Sequence, residues 1–578
     1  MELDKKALLS QLNEAAKLLE VVGDPYRARA FANAARSLDD TRDDLAALID
    51  AGEIDRLKGV GKTLAAELVA YRQAGQLPVL TELHAQVPVG VRGLLAVRGL
   101  GAKKVATLWH HDIDSVEALV AAIENGDLAA IKGFGGKSAA TIGDAARFAL
   151  EAKKRMRRDT AEHLAERLTA ELQTALPELR LEPIGSLRRG LETVGDIDLL
   201  AANVSFAALE AALLTLGTQE DVTPPRIRVR YDDHDAEVFL TEPDVWGAAL
   251  AVGTGDAAFR ERLMARAAER GYTLSMAGSR AGLFRGDERI ATPTEAALFA
   301  HLELPHLPPE LRDAEAPQPS APPTDLVTVD AIRGVVHNHS HWSDGQHSLR
   351  DMVAAARERG YRYLAMADHS KSSYYAGGLS VERLEHQAAE IAEIRAELRA
   401  EASDFTLLHG VEVDIMSDGS LDYDDEVLAT LDYTVVSVHQ NFTLSRAKQT
   451  ERIVRAVRNP YATILGHATG RVLLRRPGYD VDVEAVIEAC AETGTVVEIN
   501  ANPRRLDLDW RWVIRARELG CSFAINPDAH SREGFDVIRH GVTVARKAGL
   551  RAADVVNCEP DAAAFLARLK PRPGASAE

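Results

Sequence analysis

The chain has 578 residues, of which 46% are hydrophobic and 27% are charged. A single hydrophobic core stops growing at about 250–300 residues, so this length predicts several domains. The formal net charge of −19 weighs only mildly against a nucleic-acid partner, because a basic surface can lie on an acidic protein.

The cysteines and the hydrophobic runs indicate where the protein works. Cys490, Cys521 and Cys558 are few, odd in number and widely spaced, which predicts a reducing cytoplasm and no disulfide framework. No run reaches the roughly 20 apolar residues of a membrane span. The first residues, MELDKKALLSQL, lack the apolar centre of a signal peptide. We therefore expect a cytoplasmic protein with no membrane partner.

The pattern of apolar residues changes along the chain. Residues 1 to about 155 repeat apolar residues at helical spacing, and from about 180 to 300 short strands alternate with helices. The stretch 312–326, RDAEAPQPSAPPTDL, predicts an extended linker with no core to bury. Beyond it, apolar strands alternate with helices, and each strand ends near a His, Asp, Glu or Asn. This pattern is typical of a parallel βα-barrel whose site lies at the strand ends.

Three segments of the helical region share one layout: LKGVGKTLA from Leu57, VRGLGAKKV from Val97 and IKGFGGKSA from Ile131. Two glycines permit a tight turn with exposed N–H groups, and the following helix adds partial positive charge that suits a phosphate oxygen. An ordinary glycine turn is the alternative for one copy, but three copies favour DNA. The segments resemble the helix-hairpin-helix motif, which contacts the DNA backbone. The resemblance implies these DNA-binding residues: Gly59, Gly61, Lys62, Gly99, Gly101, Lys103, Gly133, Gly135 and Lys137.

The segment PIGSLRRGLETVGDIDLL, residues 183–200, carries two aspartates two positions apart. On a strand, Asp196 and Asp198 would face the same side, where two carboxylates can hold a pair of metal ions for phosphoryl transfer. With the preceding G-S-x-R-R-G, the segment resembles the polymerase-beta-like nucleotidyltransferases, specifically the family X DNA polymerases. This resemblance covers residues 1 to about 315. It implies two Mg²⁺ or Mn²⁺ ions, the catalytic residues Asp196, Asp198 and Glu237, and a nucleotide bound by Gly185, Ser186 and Arg189.

Several positions depart from the family X pattern. Glu237 stands where the family has aspartate, and its extra methylene should misplace a metal or a base. Val252 and Gly253 stand where the family has an aromatic pair beside the nucleotide sugar. Glu67 stands at the place of the lysine that removes deoxyribose phosphate, and a carboxylate cannot form the imine. We therefore expect weak, Mn²⁺-favoured synthesis with weak sugar discrimination, and no lyase activity unless Lys62 or another lysine substitutes.

Nine side chains of metal-ligand type lie near the ends of the predicted barrel strands. A lone buried histidine is more often a satisfied core residue, but nine in this placement favour a metal site. Imidazole and carboxylate suit Zn²⁺, Mn²⁺ or Fe²⁺ better than Ca²⁺, and nine ligands exceed one tetrahedral site. The pattern resembles the PHP (polymerase and histidinol phosphatase) domain over roughly 328–570. It implies two or three Mn²⁺, Zn²⁺ or Fe²⁺ ions held by His337, His339, Asp344, His369, Glu412, His439, His467, Asp528 and His530.

Other residues near these ligands receive lesser roles. Val335 stands where the PHP pattern often has aspartate, and we expect its loss to loosen ligand orientation. His341 and His347 match no role of the PHP pattern. His341 is interpreted as a solvated loop residue, with a place on the face of His339 as the alternative if the strand continued. The candidate phosphate clamps, each with an ordinary surface cation as the alternative, are Lys371, Arg504 and Arg505.

Together the two halves resemble the bacterial family X DNA polymerases that carry a C-terminal PHP domain. The predicted fold is multidomain, α+β and α/β. Its parts are a helix-hairpin-helix domain at 1–90, a fingers-like helical domain at 91–155, a nucleotidyltransferase palm at 156–245, a thumb-like subdomain at 246–311, a Pro-rich linker at 312–327 and a distorted βα-barrel, the PHP domain, at 328–578.

The resemblance implies a monomeric, nucleoid-associated DNA repair enzyme that fills gaps in gapped or nicked DNA with deoxynucleoside triphosphates. Its PHP domain would act as a metal-dependent 3′–5′ exonuclease and as an abasic-site endonuclease. Because the polymerase residues carry substitutions and the metal ligands do not, we expect the nuclease to be the stronger activity. Two alternatives remain open: a PHP domain that hydrolyses a small phosphoester, and a first half that only binds DNA around a vestigial polymerase site.

Overall fold

The computed structural model describes residues 3–41, 44–275, 281–321 and 323–573, without the side chains of residues 6, 40 and 137. The side chain of Lys137, a predicted DNA contact, and Pro322 of the predicted linker therefore lie outside the described residues. The chain divides into two compact units, Met1–Lys154 and Arg155–Glu578. No helix in the described ranges is both long and apolar enough to cross a membrane.

The first unit is helical in its described residues and has one hydrophobic core. The glycine turns of the three repeats are formed as predicted. Gly59, Gly99 and Gly133 have φ values of +91°, +88° and +99°, a left-handed conformation that glycine adopts without steric cost. Its helices are α1 (Lys5–Val21), α2 (Pro25–Asp40), α3 (Leu45–Asp50), α4 (Lys62–Ala74), α5 (Pro78–Gln86), α6 (Val89–Leu94), α7 (Ala102–Trp109), α8 (Val116–Glu124) and α9 (Gly136–Lys153).

Helices α4, α7 and α9 follow directly on Gly61, Gly101 and Gly135. The exposed turns thus present helix N-termini and the exposed side chains of Lys62 and Lys103 to solvent. Glu67 has a structural role: its carboxylate accepts the backbone N–H of Val79 at 3.0 Å, in the first turn of α5. This contact satisfies one of the free donors at a helix start.

The second unit begins with seven strands and three helices. They are β1 (Met156–Arg157), α10 (Arg158–Ala175), β2 (Arg180–Pro183), α11 (Gly185–Arg188), β3 (Thr193–Val194), β4 (Ile197–Ala202), α12 (Phe206–Leu216), β5 (Thr218–Thr223), β6 (Arg226–Tyr231) and β7 (His234–Leu240). Five of the strands form a sheet in the order β2-β4-β7-β6-β5. β4 and β7 are parallel, and the other pairs of this sheet are antiparallel. A further pair, β1 and β3, is antiparallel.

Three helices and a small antiparallel sheet follow in the region of the predicted thumb-like subdomain. Ala248, Phe259 and Phe299, one from each of these helices, belong to the same hydrophobic cluster. The elements are α13 (Trp246–Thr254), α14 (Ala257–Glu269), β8 (Thr273–Ser275), β9 (Gly282–Arg285), β10 (Glu288–Ile290) and α15 (Glu295–Leu302).

The last part is the predicted βα-barrel. Seven strands lie side by side in chain order and are all parallel. A bridge from Asn338 to Ala529 brings the first strand beside the last, so the barrel is nearly closed. The strands are β11 (Gly334–Asn338), β12 (Tyr363–His369), β13 (Thr406–Asp414), β14 (Tyr433–Ser437), β15 (Ile464–Leu465), β16 (Val496–Asn500) and β17 (Phe523–Asn526).

Helices cover the outside of the barrel, as expected for a parallel sheet whose strands are buried on both faces. They are α16 (Leu349–Glu358), α17 (Val381–Ala400), α18 (Asp425–Leu428), α19 (Arg446–Val457), α20 (Val483–Thr493), α21 (Trp510–Glu518), α22 (Ile538–Lys547) and α23 (Ala562–Arg568).

The expectation that the linker stretch 312–326 has no core to bury is wrong at both of its ends. Arg312 is completely buried, where it pairs with Glu295 and donates through Nε to the Leu307 carbonyl at 3.0 Å. Leu326 and Val327 belong to the hydrophobic cluster that continues into the barrel. A buried arginine is retained only where its donors are satisfied. The segment is therefore anchored in the second unit at each end, while the domain boundaries themselves stay predictions.

Candidate active sites

The barrel strands bring the predicted metal ligands to one end of the sheet. His337 lies in β11, His369 is the last residue of β12 and Glu412 lies near the end of β13. His439 and His467 follow β14 and β15 by two residues. Because the carboxyl ends of parallel strands meet at one edge, ligands far apart in the chain converge there.

Glu412 lies at the centre of the cluster. Its Oε1 is 3.3 Å from His337 Nε2, 3.2 Å from His439 Nε2 and 2.9 Å from His467 Nε2. Its Oε2 is 2.9 Å from His369 Nδ1. One buried carboxylate thus faces four imidazoles, which is the arrangement expected of a bridging ligand between metal ions.

Asp528 and Asp344 extend the cluster on two sides. Asp528 Oδ1 lies 3.3 Å from His339 Nε2, and Asp344 Oδ1 lies 3.3 Å from His530 Nε2. The described part of the chain contains four groups of potential ligand atoms, and all four are in the barrel. Within each group, the atoms lie within 4.8 Å of one another. The structure brings all nine predicted ligands into these groups.

The donor set fits divalent metal ions. Within the described residues, His337 Nε2, both ring nitrogens of His339, His369 Nδ1 and Glu412 Oε1 are buried without a hydrogen-bond partner. Each buried polar atom without a partner lowers the stability of the fold by roughly 1–3 kcal/mol. Coordination to a cation would remove that cost. Imidazole nitrogens with carboxylate oxygens are ligands for Zn²⁺, Mn²⁺ or Fe²⁺.

The protonation of the central residues bears directly on cation binding. Burial raises the pKa of Glu412, but the neighbouring histidines, His439 foremost, bring the pKa well below its usual value. Burial lowers the pKa of His339 to about 3. Burial also lowers the pKa of His439, but the charge of Glu412 raises it to about 10. Because a ligand imidazole must be neutral, metal binding at His439 would displace its proton.

The palm carboxylates lie on two neighbouring strands. In the register of the parallel strands β4 and β7, Asp198 stands opposite Glu237. Asp196 precedes β4, which begins at Ile197, so it lies just before the strand and not on it. The three carboxylates line one cavity of about 340 Å³, together with Val252 and Gly253. Their predicted roles as metal ligands stay predictions.

Crowding of these carboxylates changes their ionisation. Burial, with the charges of Asp196 and Glu237, raises the pKa of Asp198 to about 7. Arg228 lies on the other side of Glu237, and its Nε donates to Glu237 Oε1 at 2.7 Å. A raised carboxylate pKa within a cavity is typical of a functional site.

The predicted nucleotide residues lie beside these carboxylates. Gly185 has a φ of +62°, and a Cβ placed there would stand 2.3 Å from Asp198 Oδ2. Ser186 follows in the short helix α11. Arg189 donates through Nε to Asp313 at 2.9 Å and through Nη1 to the Thr254 carbonyl at 2.7 Å. Arg189 would have to leave these partners to reach a triphosphate.

The sequence matches known families in the order that the fold suggests. They are the Helix-hairpin-helix domain over residues 4–77, the SAM-like Helix-hairpin-helix tandem over 91–147, the DNA polymerase beta palm over 155–218, the DNA polymerase beta thumb over 249–313 and the PHP domain over 336–502.

One relative matches from end to end. The DNA polymerase/3'-5' exonuclease PolX of Bacillus subtilis is 34% identical over 575 residues, which are 98% of this chain and 99% of that protein. The chain belongs to the PolX family. The barrel alone is also similar to a probable phosphatase of Thermoanaerobacter, 29% identical over 246 residues, 39% of this PolX chain and 91% of that protein. A probable phosphatase of Shewanella oneidensis is 26% identical over 216 residues, 35% and 79% of the two chains.

Two residues that support the candidate ligands of this PolX chain were missed by the sequence analysis. Glu498, in β16, is completely buried, and its Oε1 lies 2.5 Å from His337 Nδ1. Asp414, the last residue of β13, lies 2.5 Å from His439 Nδ1 through Oδ1. A carboxylate on one ring nitrogen leaves the other free to face a metal. An acidic residue inside an apolar strand, as in TVVEIN, was the available signal.

The remaining predicted residues have different surroundings. Val335 is completely buried in an apolar cluster, and orientation of His337 comes from Glu498. His341 is exposed, and His341 and His347 belong to none of the ligand groups in the described residues. Among the candidate clamps, Arg505 Nε lies 3.7 Å from Asp528, while Arg504 and Lys371 are exposed.

Proposed function

We propose that this PolX chain is a DNA repair enzyme with two phosphoryl-transfer sites. The barrel would remove nucleotides from DNA 3′ ends as a metal-dependent 3′–5′ exonuclease and would also cleave abasic sites. The palm would extend primers in gapped or nicked DNA with deoxynucleoside triphosphates. We further propose that the protein acts as a monomer in the cytoplasm, associated with the nucleoid.

The observation that carries the nuclease assignment is the convergence of nine ligand-type side chains, Glu412 among them, into four overlapping groups in the barrel. The residues fit two or three Mn²⁺, Zn²⁺ or Fe²⁺ ions. When bound, such ions would offset charge on phosphate oxygens and make a water acidic enough to attack phosphorus near neutral pH. Attack by water breaks the bond to the 3′ oxygen of the preceding nucleotide, which takes a proton as a nucleoside 5′-monophosphate leaves.

The protein's own side chains hold the substrate phosphate in this scheme. Arg505, 3.7 Å from Asp528, is positioned to neutralise a phosphate at the ligand cluster. Exposed Lys371, two residues after the candidate ligand His369, would act in the same way. A guanidinium suits the two oxygens of a phosphodiester, and an ammonium acts as a point charge.

We propose that polymerase activity is weak and favoured by Mn²⁺. Glu237 is held by Arg228, and its longer side chain replaces aspartate at a position where sub-ångström geometry matters. A Cβ placed on Gly253 would lie 3.0 Å from Ile184 Cδ1. Because Gly253 has no side chain, nothing at this position can select the sugar of the nucleotide. The palm would use two Mg²⁺ or Mn²⁺ ions held by Asp196, Asp198 and Glu237.

A 5′-labelled primer on a gapped template tests both activities, with and without triphosphates, in Mg²⁺, Mn²⁺ and Zn²⁺. Asp198→Asn should abolish extension and leave shortening. His339→Ala should abolish shortening and leave DNA binding, whereas His341→Ala, a matched histidine outside the ligand groups, should behave as wild type. Shortening that survives in His339→Ala would contradict the assignment.

A second candidate is a phosphatase that acts on a small phosphoester. The similarity of the barrel to the probable phosphatases of Thermoanaerobacter and Shewanella favours it. Turnover of histidinol phosphate would be compared with removal of a DNA 3′ nucleotide at equal enzyme and Mn²⁺. Faster turnover of histidinol phosphate would support this candidate.

The first half could also be a DNA-binding module with a vestigial polymerase site. Equilibrium binding of deoxynucleoside triphosphate in Mg²⁺ and in Mn²⁺ distinguishes this from a weak polymerase. Failure of both metals to support binding would favour the vestigial site.

A further inference from the structure

Two consecutive tyrosines stand in solvent at the mouth of the ligand cluster. Tyr374 and Tyr375 expose 84% and 64% of their surface. They lie five and six residues after the ligand His369, on the loop that leaves β12. Their rings are 6.0 Å apart and inclined by 79°, edge towards face. Each ring therefore keeps a face free.

The loop that carries the tyrosines returns to the ligand from which it starts. The backbone N–H of Leu379 donates to the His369 carbonyl at 2.8 Å. Ser373, directly before the tyrosines, donates through Oγ to Asp414, and Asp414 Oδ1 lies 2.5 Å from Nδ1 of the candidate ligand His439. These contacts place the two tyrosines beside the ligand cluster.

The same loop is held by hydrogen bonds to Asp414 and Arg383, of which those to Asp414 are buried. Ser373 Oγ donates to both oxygens of Asp414, at 3.1 and 3.0 Å. Arg383 Nη1 donates to the Gly377 carbonyl at 2.6 Å, and Arg383 also pairs with the Trp342 carbonyl on the neighbouring loop. The rings are thus exposed on a fixed backbone, in which little entropy is lost when a ligand binds.

Single exposed apolar side chains are normal on proteins, but a fixed pair beside a site marks a binding surface. Among the described residues, no other two consecutive large hydrophobic side chains are exposed. Lys371 adds a cation: it is exposed, and its Nζ lies 5.5 Å from the centre of the Tyr423 ring. Flat rings beside a cation suit a ligand that has planar bases joined by phosphates.

We propose that Tyr374 and Tyr375 stack against the terminal bases of a single-stranded DNA 3′ end and thereby position it for cleavage. This inference rests on the proposed exonuclease function. Stacking is sequence-tolerant because every base has a π-face, so the pair selects DNA ends over small phosphoesters without reading sequence. Lys371 would hold a phosphate beside the stacked bases.

A two-by-two comparison of protein and substrate tests the proposal. The substrates are 5′-labelled single strands with ordinary 3′-terminal nucleotides or with abasic tetrahydrofuran residues at the last two positions. The proteins are wild type and Tyr374→Ala/Tyr375→Ala, assayed in Mn²⁺. Wild type should cleave the ordinary end about 5- to 150-fold more efficiently in kcat/KM, mainly through KM, as stacking of one base at about 1–3 kcal/mol predicts. The double alanine variant should lose this preference.

Two further proteins separate stacking from general damage. Tyr374→Phe/Tyr375→Phe keeps both rings and should keep the preference for ordinary ends. Tyr26→Ala, which removes a tyrosine that is 85% exposed in the helical unit, should not change it. An abasic penalty of equal size in wild type and in the double alanine variant would overturn the stacking proposal alone. Failure of wild type to shorten either strand would overturn the proposed exonuclease function as well.

Discussion

Glu498→Gln should weaken the metal site of the barrel without touching a predicted ligand. Each carboxylate oxygen of Glu498 accepts two contacts in the buried interior. Oε1 lies 2.5 Å from His337 Nδ1 and 2.9 Å from Asn526 Nδ2. Oε2 accepts the backbone N–H of His467 at 2.6 Å and Asn500 Nδ2 at 3.3 Å. All four partners can be donors, so an amide nitrogen fits at neither position.

The amide of glutamine would therefore act on the histidine as well as on the fold. Two buried donors would lose their acceptor, at about 1–3 kcal/mol each. If the amide nitrogen faces His337, Nδ1 of that ring must accept and Nε2 must carry the proton, which blocks Nε2 as a ligand towards Glu412. Loss of such a supporting carboxylate costs about 10–100-fold in metal affinity or activity.

The assay is a Mn²⁺ titration of 3′-nucleotide removal, with bound metal measured on the same samples. Glu498→Gln should require about 10–100-fold more Mn²⁺ for half-maximal activity. Glu484→Gln, in which the lost carboxylate pairs with Arg515 at the surface, should titrate as wild type. Primer extension by the palm should stay unchanged. Wild-type Mn²⁺ affinity in Glu498→Gln would refute the reasoning.

Two other perturbations follow from local geometry and burial. Gly185→Ala would place a Cβ 2.3 Å from Asp198 Oδ2, where ordinary contact begins at 3.4 Å. A displacement of about 1 Å should lower primer extension about 100-fold and leave the exonuclease intact. Gly271 has a similar positive φ but open space around the place of a Cβ, so Gly271→Ala serves as the control. Equal losses of primer extension in the two variants would contradict a role for the contact with Asp198. Burial lowers the pKa of His540 to about 4, below the value of about 6.5 expected in the unfolded chain. Because the unfolded chain then binds the proton more tightly, stability should fall as the pH drops from about 6.5 to 4, by about 3 kcal/mol. The melting temperature of His540→Gln should fall less between about pH 6.5 and pH 4 than that of wild type. His111→Gln, at an exposed position, should show the same fall as wild type. Equal falls in all three proteins would exclude His540 as the cause.

Local sequence was enough for the features whose physical cause is local. The glycine turns of the three repeats follow from residues within each turn, and Gly59, Gly99 and Gly133 adopt the left-handed backbone that the repeat requires. The barrel follows from the alternation of apolar strands with helices. The nine candidate ligands could be grouped from the sequence because they lie at, or within a few residues of, strand ends, and parallel strands all end at the same edge.

The supporting carboxylates could not be assigned in this way. Glu498 and Asp414 are single acidic residues within apolar strands, and their partners His337 and His439 lie on other strands. A sequence pattern shows that such a residue is unusual. Which histidine it orients depends on the register of strands that are far apart in the chain.

The sequence by itself determined the order of the parts, the glycine turns and the set of nine metal-type ligands. Only the tertiary structure decided that the stretch after Leu311 is anchored. Arg312 forms an ion pair with Glu295, and Asp313 forms one with Lys547, which is far away in the chain. It also decided that Tyr374 and Tyr375 stand in solvent beside the ligands. Hydrophobicity alone predicts that such rings are buried. Hydrogen bonds to Asp414 and Arg383 hold the loop so that the rings are exposed instead. Long-range contacts of this kind leave no periodic signal in the chain.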